Sequence, residues 1–187
     1  NDESVLSLLE TYLSFLQYAI DSADKEVRNL MNYDRRWVSY EKGIEDSHGR
    51  TLWALGHVVE ESTIEWLHEY GTELFNRALS ISIDFTSPRA WAFSILGILS
   101  YLEEFNGDRN ARLICEELGK KLFKLFKENS DEDWPWCEDI VSYENARLPQ
   151  ALIATGGYLE NSDYVDTGVK ALDWLLQIQT SSEGGHL

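Results

Sequence analysis

The chain of 187 residues carries 16 basic and 33 acidic side chains, a formal charge of −17, with hydrophobic residues at 43% and aromatics at 12%. It is long and apolar enough for one domain over residues 1–187 with a substantial core, and too apolar to be disordered despite its charge. The acidic excess repels phosphate backbones and anionic lipid, which argues against nucleic acid and membrane surfaces as partners.

Cys115 and Cys137 lack metal-type spacing and read as reduced thiols. There is no His-Glu-x-x-His, no phosphate-cradling glycine loop and no nucleophile elbow, so neither a metal nor a cofactor is expected. No apolar run approaches the roughly 20 residues of a membrane span, and no signal peptide precedes the first helical stretch. A soluble, cytoplasmic protein is expected. The chain starts at Asn1 without a methionine, and Ser182 to Leu187 read like the opening of another loop. It therefore reads as a fragment, which leaves export open.

In chain order, Val5, Leu9, Tyr12, Leu13, Leu16 and Ile20 recur at helical spacing, with Leu6 and Phe15 widening the stripe, and predict a buried amphipathic helix over 4–20. Residues 21–47 break the periodicity and carry Asp34, Arg35, Arg36, Trp37, Tyr40, Glu41, Gly43, Glu45 and Asp46. That is long for an interhelical loop, and long loops of this composition are often functional. Helices are predicted over about 48–61 and 63–79, then from Ser87-Pro88, an N-cap and N1 pair, to about 105. Asn106, Gly107 and Asp108 turn the chain into a helix over 109–128. A polar and aromatic stretch from Asp133 to Gln150 follows. Pro149 at N1 would then start a helix to about 158, and Asn161-Ser162 would lead into the last helix, ending near Gln179. Seven helices and no strands make the chain all-α.

A weak repeat pairs these helices. Gly71, Gly119 and Gly168 recur 48 and 49 residues apart, each beside a similar apolar run. One helix earlier, Ala54-Leu55-Gly56 echoes Ile95-Leu96-Gly97 and Ala154-Thr155-Gly156. A short apolar helix followed by a longer charged one is the pattern of inner and outer helices in an α/α toroid, which fits better than a solenoid.

Two stretches carry candidate chemistry. Glu45, Asp46, His48 and Arg50 run into an apolar helix start, where they could cap the helix and pair with one another or hold a ligand oxygen. His48 could serve as a general base or as a hydrogen-bonded structural histidine. In the second stretch, Trp134 and Trp136 flank Pro135 and precede Glu138 and Asp139, with Tyr143, Asn145 and Arg147 following. Indoles cover the C–H face of a sugar and carboxylates accept its hydroxyl protons, although a tryptophan pair can equally plug a helical barrel. Glycoside cleavage needs two carboxyl groups about 5 to 9.5 Å apart. Asp139 or Glu138 facing Asp46 and His48 would be the catalytic set, with Trp134, Trp136, Tyr143, Asn145, Arg147, Glu45, Arg50 and Trp37 as substrate contacts. His57 and His68 lie within predicted helices without ligand spacing and read as structural.

Tyr33 to Trp37, Glu45 to Gly56 and above all Asp133 to Leu152 resemble a bacterial family on the six-hairpin (α/α)-toroid scaffold, glycosyltransferase-associated or glycosyltransferase-like. Its superfamily includes glycoside hydrolases, unsaturated glucuronyl hydrolases and sugar epimerases. The resemblance implies a glycoside hydrolase-like protein that binds or processes a sugar or oligosaccharide. The alternatives are a noncatalytic module beside a glycosyltransferase partner, a sugar epimerase, or a helical repeat that binds proteins. Cys137 stands where the family is expected to carry an aromatic residue. Seven helices supply about three and a half of six hairpins, so the chain would be the N-terminal part of a toroid.

Overall fold

The computed structural model describes residues 3–20, 27–38 and 45–180. Tyr40, Glu41 and Gly43, singled out above, lie outside the described residues, as does the 182–187 segment. Seven α-helices occur among the described residues: α1 (Glu3–Ile20), α2 (Glu45–Glu61), α3 (Glu65–Leu79), α4 (Pro88–Glu104), α5 (Arg109–Asn129), α6 (Arg147–Tyr158) and α7 (Ser162–Gln179). A 3-10 turn over Ser80–Asp84 joins α3 to α4, and Met31 and Trp37 form an isolated antiparallel bridge.

Local chemistry sets most boundaries. The Asp108 side chain accepts from the backbone N–H of Asn110 and Ala111, and Asn161 from Asp163 and Tyr164, so α5 and α7 open on side-chain caps. Two starts differ from expectation, and a third falls where expected without its capping bond. Helix α2 begins at Glu45, earlier than about 48, with Glu45 and Asp46 in its first turn, where acidic groups suit the positive end of the helix dipole. Ser87 is the N-cap of α4, but its side chain makes no capping bond. Helix α6 begins at Arg147, which places Pro149 at the third helical position instead of the first. Pro149 is tolerated there because the first helical bond runs from the Gln150 N–H to the Ala146 carbonyl, so no intrahelical donor is missed.

The helices form two layers, a first of α2, α4 and α6 and a second of α3, α5 and α7. Helix α4 lies between α2 and α6, while α3 packs on α2, α5 on α4 and α6, α7 on α6, and α1 on α3. Helix α1 is not buried as expected: Leu13 and Ile20 are, but Val5, Tyr12 and Phe15 of the same stripe are exposed. The first turns of α2, α4 and α6 meet around the 130–146 connection, so these three helices run in the same direction.

Glycine permits the tightest crossing. A Cβ on Gly56 would fall 2.1 Å from the Gly97 carbonyl oxygen, and one on Gly97 would fall 2.3 Å from that of Leu52. Backbone therefore meets backbone between α2 and α4. The recurring Gly71, Gly119 and Gly168 each face a helix of the first layer, against Val58, Thr155 and Ile153 respectively. Around these contacts Leu52, Leu55, Leu74, Phe75, Ile95, Ile98, Leu118 and Phe126 are fully buried, each worth about 1.5–3 kcal/mol of transfer free energy.

Candidate functional site

Arg89, in the first turn of α4, organises the 130–146 connection. Its guanidinium grips Glu138 through two parallel bonds of 2.7 and 2.8 Å, and its Nε donates to the Tyr143 carbonyl at 2.6 Å. Nη2 also donates to Ser142 Oγ at 2.6 Å and Asn145 Oδ1 at 3.3 Å, and the guanidinium carbon sits 4.6 Å from the Tyr143 ring centre. Burial alone would lower the Arg89 pKa, but hydrogen bonding and attraction to Glu138 outweigh it and raise it. Both carboxylate oxygens of Glu138 are thereby engaged.

A second network joins the loop to α2. Tyr143 Oη donates to Asp46 Oδ1 at 3.0 Å, and Arg50 bonds Asp46 Oδ2 at 2.9 Å and Glu144 Oε1 at 3.2 Å. The other Glu144 oxygen accepts from Arg147 Nε at 3.4 Å. Desolvation, then the bond to Asp46, raises the Tyr143 pKa, so the phenol stays protonated and donates. Glu144 holds both arginines from a left-handed backbone, φ 50°, which a non-glycine residue adopts at a cost of order 1–3 kcal/mol. Arg50 lies over the Phe93 ring and Arg147 over Trp53, at 4.2 and 4.5 Å, while Phe93 and Trp53 stack on each other. The loop, α2, α4 and α6 are thus locked by charge-assisted bonds.

Several sequence candidates have structural duties. Glu45 does not cap its own helix; its carboxylate accepts from the backbone N–H of Thr86 and Ser87 and from the Thr86 hydroxyl, capping α4. His48, the candidate general base, is 2% exposed: Nε2 bonds the Ala78 carbonyl at 2.7 Å and Nδ1 accepts from the Val27 N–H at 3.4 Å. A base needs a free nitrogen at the substrate, and neither ring nitrogen faces one. Trp136 is wholly buried against Phe126 and Trp174, so it plugs the core instead of facing a sugar. Its indole N–H has no hydrogen-bond partner among the described residues. Trp134 packs edge-on against Trp174 and donates to the Glu138 carbonyl at 2.8 Å. Trp37 stacks on Tyr18 and touches Phe15, both on α1. Asn145 braces the loop by accepting from the Ser142 N–H and Arg89. Asp139 is exposed, with no hydrogen bond or ion pair among the described residues.

Beneath the arginine network, the shared side of the first layer holds a cleft of about 240 Å³ lined by α2, α4 and α6. Trp53, His57 and Glu60 come from α2, Ser100 and Glu103 from α4, and Gln150 from α6, with Leu96, Leu99 and Ala154 between them. Trp53 Nε1 can only donate, so His57 Nε2 accepts it at 2.9 Å and the ring proton resides on Nδ1. That Nδ1 lies 3.2 Å from both Glu60 Oε2 and Ser100 Oγ. In a hydrolase triad the serine and the carboxylate address opposite ring nitrogens; here both address the same one, so the cluster is not a nucleophile relay.

Neither Arg89 nor this cleft is among the sequence candidates. The cleft left a signal in α2, where Asp46, Arg50, Trp53, His57 and Glu60 recur at three- and four-residue steps opposite Leu52, Leu55 and Val59. Arg89 left a weak one, a basic residue in a first turn, where the helix dipole disfavours it and acidic partners must hold it, but its partners are distant in sequence.

No protein-family model matches the chain, and no curated protein or solved structure does either.

Proposed function

We propose that this chain binds a sugar or oligosaccharide in the cleft of the first helical layer, and that its two layers form part of an α/α toroid. One observation carries the reading: a single cleft on three parallel helices combines an indole, carboxylates, an imidazole, an amide and a hydroxyl. An indole covers the C–H face of a pyranose while the polar groups satisfy its hydroxyls. Arg147 lies over Trp53 and donates to Gln150 at the end of the cleft nearest the loop. Binding without cleavage is the form favoured, because Glu138 and Asp46 are engaged by Arg89 and Arg50. That suits a module which positions a glycan for a glycosyltransferase partner; a glycoside hydrolase-like activity would have to draw on Asp139, the exposed carboxylate.

Calorimetric titration of an oligosaccharide panel into the chain tests the proposal. Binding is expected to weaken about tenfold in Trp53→Ala and measurably in Gln150→Ala, whose side chain is exposed, with the fold of each variant checked by circular dichroism. If no glycan binds, or if both variants bind as the parent does, the cleft is not a sugar site. Turnover that survives in the parent and vanishes in Asp139→Asn would replace the binding reading with a catalytic one.

A further inference from the structure

The charge of the cleft specifies its ligand further. Helices α2, α4 and α6 are parallel, so their negative C-terminal ends point the same way, and each end carries roughly half an elementary charge. Basic residues normally occupy such ends. None of the three helices has a basic residue in its last turn, and α2 ends on Glu60 and Glu61 while α4 ends on Glu103 and Glu104. Glu60 and Glu103 line the cleft. His57 is the other titratable group in the lining, and its Nδ1 lies 3.2 Å from Glu60 Oε2. Arg147, at the opposite end, is tied to Glu144 and Gln150. The arrangement adds carboxylates where aligned dipoles already disfavour them, with an aromatic wall beside them and no lysine or arginine in the cleft lining among the described residues. Such a breach of local charge rules is expected where function requires it. An aromatic wall beside carboxylates is the setting that holds an organic ammonium group.

Resting on the sugar-binding reading above, we infer that the cleft prefers sugars bearing a free protonated amine to their N-acylated or acidic counterparts, with the ammonium directed at Glu60 and Glu103 and the ring against Trp53. Indole and carboxylate together are a recurrent means of holding an ammonium group.

The test is calorimetry on the full chain at mildly acidic pH and low salt, with the tetramers of glucosamine, N-acetylglucosamine and galacturonic acid, and with 1,4-diaminobutane. The glucosamine tetramer is expected to bind at least about threefold tighter than the N-acetylated one, since exposed charge pairs contribute modestly, and the galacturonate weakest. The preference should shrink in high salt and in Glu103→Gln, a surface substitution whose fold is checked by circular dichroism. Equal affinity for the first two tetramers overturns the amine inference and leaves sugar binding standing. No binding of any tetramer overturns the sugar reading itself. Diaminobutane binding as tightly as the glucosamine tetramer overturns both, in favour of a plain amine site. A preference unchanged in both Glu60→Gln and Glu103→Gln overturns the assignment of these carboxylates.

Discussion

Arg89 and Glu138 face each other in a two-pronged ion pair whose side chains are 6% and 23% exposed, tying the first turn of α4 to the connection that precedes α6. Removing one partner of such a pair leaves the other charge desolvated and alone, at a cost of about 3–5 kcal/mol when burial is complete. Arg89→Met is expected to lose about 3 kcal/mol in urea denaturation and to free Tyr143 and Asn145 from their brace. Glu138→Gln should lose somewhat less, because Ser142 and Asn145 still accept from the guanidinium. In the double variant the losses should not add. Additive losses would mean that the pair contributes nothing as a pair.

The α2–α4 crossing gives a second prediction. Gly56→Ala forces a methyl group to within 2.1 Å of the Gly97 carbonyl, so the helices must separate. The expected loss is at least about 1–3 kcal/mol, the range for overpacking. Gly157→Ala, in α6 where an added Cβ meets nothing within 4 Å, should instead stabilise the chain by up to about 1 kcal/mol. Similar effects at the two sites would refute the close approach.

His48 gives a third. With Nε2 on the Ala78 carbonyl and Nδ1 on the Val27 N–H, its ring pins the end of α3 and the start of the 27–38 segment to α2. His48→Ala should cost about 2–3 kcal/mol, from a cavity and two abandoned backbone groups. Hydrogen exchange should rise at Val27. Loss of ligand affinity with stability intact would return His48 to the site.

The buried thiols give a fourth. Burial pushes both Cys115 and Cys137 from 9.0 up to about 12, so the folded chain holds them protonated. Because the folded value is the higher one, the associated stability is fully present below pH 9.0 and is lost as pH rises from there toward about 12. Unfolding midpoints should therefore fall over that window, less steeply in Cys115→Ala and Cys137→Ala. A thiol reagent should leave both cysteines unlabelled near neutrality until the chain unfolds. Rapid labelling of the native protein would contradict their burial.

Helix existence and most boundaries follow from local terms: the apolar stripe of α1, the caps at Asp108 and Asn161, and Pro88 at the first position of α4 all act within a few residues. The repeating glycines were legible for the same reason, as small residues at fixed steps along a helix. Partnership was not legible. Nothing near Glu45 says that it caps α4, 41 and 42 residues away, and nothing near Arg89 says that its acceptors lie 49 to 56 residues ahead. Trp136 and Trp134 look alike in sequence, yet the fold buries one completely and leaves the other half-buried. The sequence by itself determined a set of amphipathic helices and a strongly acidic charge, since propensity, capping and composition act locally or sum over the chain. Only the tertiary structure decided which carboxylates are paired with arginine and which line a cleft, because that depends on which helix faces meet.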